Sequence, residues 1–100
     1  MIARIWHGRT DRSKSGDYSK FLLEVAIPDY TKTKGFKGLS FLRSIKEGEA
    51  HFKLITYWEN LDTIKNFAGQ DFEKAKYYPE DKNFLLEFEA HVEHYEVFAS

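Results

Sequence analysis

The hydrophobic pattern of the chain changes period four times, from two to near 3.6 and back, and this predicts an α+β fold with the element order β-α-β-β-α-β. Two further observations support it. The chain has 100 residues, the size of one domain, and a chain of this length buries about two-thirds of its unfolded surface without staples. It also lacks any repeat of 20 to 50 residues and any low-complexity linker, so residues 1–100 are expected to form one domain.

Each element follows from local chemistry. "IARIWHGR" (2–9) alternates, with Ala3, Ile5, His7 and Arg9 on one side and Ile2, Arg4, Trp6 and Gly8 on the other, which predicts a strand. "DRSKSGD" is polar and turn-forming. After it Tyr18, Phe21, Leu22 and Val25 recur at helical spacing, with Ser15 or Asp17 placed to cap the start. Pro28 lacks an N–H and disfavours helix at Ile27, so the helix is expected to break or kink there. "TKTKG" (31–35) leads into "FKGLSFLRSI", a second alternating segment, and "KEGE" (46–49) is a turn in which Gly48 is free to take positive φ. "AHFKLITYWE" is the third strand, so residues 36–59 form a hairpin.

Asn60 is placed to cap a helix over "LDTIKNFAG", Asp62 suits its positive end, and Gly69 its stop. Leu61, Ile64 and Phe67 form its apolar stripe. Asp71 opens a further short turn carrying Phe72 and Ala75, which ends before Pro79. From Ala90, His91, Glu93, Tyr95 and Val97 alternate with Val92, His94, Glu96 and Phe98, predicting the last strand. The sum is the ferredoxin-like split unit, a four-stranded antiparallel sheet with helices on one face. The opposite face keeps Ile55 and Tyr57 between polar neighbours, and 42% hydrophobic residues exceed what one helix-covered face needs. A homodimer with facing sheets is therefore expected.

Composition excludes several functions. The chain has no cysteine, which removes disulfides, thiolate metal sites and a cysteine nucleophile, and leaves the cytoplasm as the expected compartment. Fifteen basic residues nearly cancel 16 acidic ones, with no long run of one sign, which argues against nucleic acid and anionic membranes as partners. The longest apolar-rich stretch, "FLLEVAI", is too short to span a bilayer. Aromatic residues make up 17% of the chain, more than a small core needs, which points to rings in pockets or interfaces. There is no HExxH, phosphate-binding glycine loop, GxSxG or Ser/His/Asp spacing.

The candidate site residues carry both structural and chemical readings. Trp58, on the Phe52, Leu54 and Thr56 side of its strand, either packs beneath the second helix or stacks on a flat ligand and donates its indole N–H. Tyr77 and Tyr78 precede Pro79, and one of the two can present a phenol to a ligand oxygen while its neighbour faces the core, surface or dimer contact. His7 approaches His94 or Tyr95 if the first and last strands pair, and a histidine beside a pocket serves as a base near neutral pH. His91 and His94 point to opposite faces of a strand and cannot share one metal ion, so no metal site is expected. Arg43, in phase with Leu39 and Phe41, is placed for a surface ion pair or for a ligand carboxylate or phenolate.

"GFKGLSFLRS", "LITYWENLDTIKNFAGQDFEKAKYYPED" and "VEHYEVF", in this order, resemble the antibiotic biosynthesis monooxygenase-like domains of the dimeric α+β barrel superfamily. The resemblance covers nearly the whole chain. It implies a homodimer, a pocket between sheet and helices, and in some members oxidation of an aromatic small molecule by O₂ with no cofactor. Quinone-forming members use a tryptophan ending the third strand, an asparagine four residues earlier, a tyrosine on the next helix and an arginine further on. Trp58 matches, whereas Leu54, Ile64 and Tyr78 stand at the other places. Heme-degrading members use an asparagine, a tryptophan and a histidine ligand where this chain has His7, Phe67 and Lys76, which disfavours heme breakdown. The reading implied is a monooxygenase-like protein for a flat phenolic or quinol-type substrate, with His7, Tyr78 and Tyr77 as catalytic candidates. Trp58, Phe67, Leu54, Arg43 and His94 are the binding candidates. The alternative is a non-catalytic binding or sensing dimer.

Overall fold

The computed structural model describes residues 1–100. Strand β1 (Ile2–Asp11) is followed by a short 3₁₀ turn and helix α1 (Ser15–Phe21), which runs through one π-helical turn (Leu22–Ala26) into α2 (Ile27–Thr31). Strands β2 (Phe36–Lys46) and β3 (Glu49–Trp58), helix α3 (Leu61–Ala68), a 3₁₀ turn (Pro79–Asn83) and strand β4 (Glu93–Glu96) complete the chain. The sheet order is β2-β3-β1-β4 with every pair antiparallel, the ferredoxin-like α+β arrangement that the sequence predicts.

The register explains the layering. β1 pairs with β3 from Ile2↔Trp58 to Asp11↔Glu49, so Trp6, Gly8 and Thr10 share a face with Leu54, Phe52 and Ala50. Helices α1, α2 and α3 pack on that face, and the core lies between them and the sheet. Ala3, Ile5, His7, Arg9, His51, Lys53, Ile55 and Tyr57 occupy the other face. The β2–β3 hairpin closes through Glu47 (φ 51°) and Gly48 (φ 81°), the paired positive angles of a type I′ turn. Asn60 caps α3 as expected. Its Oδ1 accepts from the Thr63 N–H at 3.0 Å, while the Thr63 hydroxyl receives the Asn60 N–H at 3.4 Å.

Three local expectations are revised. The first helix does not end at Pro28 but changes its hydrogen-bonding pattern one turn earlier, over Leu22–Ala26. In an α-helix, residues four apart drift by about 40° per step, whereas the wider π turn winds back. Tyr18, Leu22, Ala26 and Tyr30 therefore all remain buried on one stripe, and Val25, expected on the apolar face, is turned outward. The last strand spans only Glu93–Glu96 rather than residues 90–98. Before it the chain follows β1 irregularly, with the Leu86 N–H on the Arg9 carbonyl, and then turns aside to bond residues 73–75 instead. Third, His7 does not meet His94, because the β1–β4 register sets His94 opposite Arg4.

Arg4 fixes that edge. Its side chain is only 2% exposed, donates to the backbone carbonyls of Phe72 and Lys74, and lies 3.1 Å from His94 Nε2. Burial, followed by the neighbouring Arg4 charge, lowers the His94 pKa, so the ring meets the guanidinium as a neutral acceptor. No helix is long and apolar enough to cross a membrane.

Candidate functional site

Beneath the π turn, side chains from β1, β3, the first helix and residues 76–81 converge on a cavity of about 10 Å³. Trp6 forms its floor. The six-membered part of the indole lies over Gly8, where a β-carbon would collide with the ring, and this close approach is the reason for a glycine in mid-strand. The indole Nε1–H is buried and has no acceptor. Leu54 and Leu22 supply apolar walls.

Polar groups come from the segment that Arg4 anchors. Asp81 is buried and accepts from the Tyr78 backbone N–H at 2.6 Å and from the Tyr18 hydroxyl at 3.4 Å. Burial pushes the Asp81 carboxyl above its ordinary range, and its hydrogen bonds only partly oppose this. The Tyr78 hydroxyl donates to Asp29 Oδ2 at 2.6 Å, and Lys76 Nζ donates to the same oxygen at 3.0 Å. The ammonium of Lys76 also stands 4.0 Å from the Phe67 ring centre. Asp29 is pushed up by partial burial, but the bonds from Tyr78 and Lys76 outweigh this and leave it below the usual carboxylate range. Burial and the facing carboxylates raise the phenols of Tyr18 and Tyr78, and burial pushes Tyr30 up to about 12. At neutral pH these phenols are donors, not bases.

The sequence-predicted residues divide among three places. Tyr78 and Leu54 line the cavity. Phe67 stacks on Tyr30 at 4.3 Å beside it, and Tyr77 packs edge-on against Trp6 at 6.0 Å with its hydroxyl on the Glu89 carbonyl. Tyr77, pushed up to about 12 chiefly by burial, is a donor too. Trp58 is fully buried among Tyr30, Phe36 and Phe67, and its indole N–H is already used on Thr56 Oγ1 at 2.8 Å. It offers no free face to a ligand, so its stacking role is replaced by a packing role. His7 lies on the open sheet face, stacked 5.8 Å from His51 and bonded to Glu89, and cannot act on the cavity as a base. His94 belongs to the Arg4 cluster, and Arg43 lies at the outer edge between α1 and β2.

Trp6, Asp29 and Asp81 were not singled out by the sequence, and Lys76 entered only as the residue at the heme-ligand place. Trp6 carried one usable signal, its place in phase with Arg4 and Gly8 on the strand face opposite His7. Asp29 carried none, since it meets Tyr78 across 49 residues; Asp81 carried only a local one, its place three residues after Tyr78 whose N–H it accepts, while its contact with Tyr18 spans 63 residues.

No protein-family model matches the chain, and no curated protein matches it. Its fold is shared with solved structures at low sequence identity. A protein of Bordetella bronchiseptica described as a candidate antibiotic biosynthesis monooxygenase superimposes with a TM-score of 0.71 at 18% identity, over 98% of this chain and 97% of that one. The heme-degrader MhuD of Mycobacterium tuberculosis, solved with two hemes in its active site, gives 0.67 at 18% identity over 100% and 98%. A Bacillus cereus protein with a description like that of the first gives 0.61 at 17% identity over 99% and 94%. The chain thus shares the ferredoxin-like α+β fold of these proteins.

Proposed function

We propose that this protein is a monooxygenase-like catalyst that oxidises a flat phenolic or quinol-type molecule with O₂ and no cofactor, using the cavity beneath the π turn. The observation that carries this reading is Trp6, which lines the cavity together with Asp81, Tyr78 and Lys76 and whose indole N–H is buried without an acceptor. A buried donor left unmatched costs free energy, and a ligand oxygen is the group that would use it. For an anthrone-type substrate the balanced change is R₂CH₂ + O₂ → R₂C=O + H₂O. Asp81, a stronger base than an exposed carboxylate, takes one proton from the CH₂ group, and the Trp6 N–H donates to the oxyanion that develops on the ring carbonyl. The carbanion gives its electrons to O₂, forming a C–O bond and a hydroperoxide. Loss of the second C–H proton together with hydroxide breaks the O–O bond and leaves ketone and water.

A ring system exceeds 10 Å³, so binding displaces Tyr78 or Leu22 from the cavity wall. The test is oxygen uptake with anthrones and hydroquinones by the wild type, Trp6→Phe and Asp81→Asn. Uptake that falls at least tenfold in both variants while their tertiary spectra stay native supports the reading; uptake unchanged in the double variant removes it.

The closed cavity and the protonated phenols favour, as a second reading, a binding or sensing protein, for which stoichiometric binding without turnover is the mark. Heme breakdown is the least favoured. No histidine lines the cavity, and Lys76 is held by Asp29 and Phe67. A Soret shift on adding heme would reverse that order. We further propose that a second copy covers the open sheet face, where Leu42 is 48% and Tyr95 50% exposed beside Ile55 and Tyr57.

A further inference from the structure

A groove of about 400 Å³ lies outside the buried cavity, between the first helix and the edge strand β2. Leu22, Leu23, Phe41, Leu42 and Phe52 give it an apolar lining, and Leu23 is largely exposed there. Its polar lining comes from Arg43 and Ser19. Ser19 donates its hydroxyl hydrogen to the Ser15 carbonyl at 2.8 Å, which turns an oxygen lone pair toward Arg43 Nη1, also at 2.8 Å. That contact holds one corner of the guanidinium and leaves Nε and Nη2 without protein partners. Arg43 makes no ion pair, in contrast to Arg9, which binds Glu49 and Glu87.

We infer that this groove binds a small amphiphilic carboxylate, an aryl or alkyl acid whose apolar body lies against Leu22, Leu23 and Phe41 and whose carboxylate meets Arg43. A single planar guanidinium matches one carboxylate through two parallel hydrogen bonds, whereas a phosphate dianion would leave a charge unmatched. The volume falls in the range of small-ligand pockets, roughly 300–1,000 Å³. The inference goes beyond the oxidation proposed above and is independent of it. Leu22 is the one apolar side chain that lines both the groove and the buried cavity, so the two sites share a partition.

The test is a ¹⁵N–¹H titration of the full chain with 2-naphthoate, decanoate and neutral 2-naphthylmethanol. Expected are saturable shifts confined to residues 19–23, 41–43 and Phe52 with both acids, and affinity at least about tenfold weaker for the alcohol and for naphthoate on Arg43→Gln. Arg43→Lys should recover part of the loss, which separates charge from folding. Equal affinity for acid and alcohol, no change in Arg43→Gln, or shifts centred on Trp6 and Asp81 would each overturn the inference. The last of these would leave the buried cavity as the binding site.

Discussion

The backbone N–H of Tyr78 donates to Asp81 Oδ2 at 2.6 Å, and the phenol of the same residue donates to Asp29 Oδ2 at 2.6 Å. Tyr78 thereby joins two carboxylates whose environments push them apart. Asp81 sits deep and is driven toward its neutral form, while Asp29 has Lys76 beside it and is held ionised. Separation of two titratable groups in this way is how one site holds a base and a fixed charge together.

The Asp81 shift makes stability depend on pH in a defined direction. The native state binds its proton more tightly than the unfolded chain, where the pKa is about 3.9. Native stability contributed by Asp81 therefore falls as pH rises from that value through the raised native pKa, and the penalty is complete above it. Urea unfolding from pH 4 to 8 should show Asp81→Asn gaining on the wild type as pH rises through this window. A wild type that gains on the variant instead would contradict the assignment.

Removing the Tyr78 hydroxyl acts on the other carboxylate. Tyr78→Phe should cost about 1.5–3 kcal/mol at neutral pH, since the lost bond is made to a charged group. Asp29 should move up toward the ordinary carboxylate range in an NMR titration. Its lowered native pKa stabilises the fold above the unfolded value, and this contribution is lost as pH falls through the native pKa. The gap between wild type and variant should therefore narrow in acid.

The two tryptophans should respond differently to substitution. Trp58 is fully buried with its N–H bonded, so Trp58→Ala should cost about 3–5 kcal/mol, and Trp58→Phe a smaller part of that. Trp6→Phe loses volume but also removes a buried donor without a partner, whose burial costs about 1–3 kcal/mol. In parallel thermal melts Trp6→Phe should unfold at a higher temperature than Trp58→Phe. The reverse order would mean that the Trp6 N–H is satisfied in solution.

Sedimentation equilibrium at micromolar concentration tests the open face. A dimer is expected, with Ile55→Asp shifting it toward monomer. A monomeric wild type would leave that face bare and end the proposal of paired sheets.

Much of the fold was legible because its signals are local. The alternation of residues 2–9 and 50–59, the Glu47–Gly48 turn and the Asn60 cap each depend on neighbours within a few positions. The site was less legible. Trp58 and His7 drew attention as residue types able to do chemistry, yet burial consumed one and strand register turned the other away. Asp29 and Asp81 acquire their character only when Arg4 pins residues 72–74 to the sheet edge, a contact across 68 and 70 positions. No spacing in the sequence encodes such a meeting.

The wide turn at Leu22–Ala26 also bears on how this helix tolerates insertions and deletions. Shortening it by one residue, for instance by deleting Glu24, would let the segment wind as an ordinary α-helix. The spacing from Tyr18 through Leu22 to the present Ala26 and Tyr30 would become four, three and four, which an α-helix turning about 100° per residue keeps within a stripe about 60° wide. Ala26 and Tyr30 would therefore stay on the core stripe, and Asp29 would keep its side toward Tyr78 and Lys76. The wide turn thus absorbs one extra residue without re-aiming the rest of the helix, so a one-residue change of length is better tolerated here than in an ordinary α-helical turn.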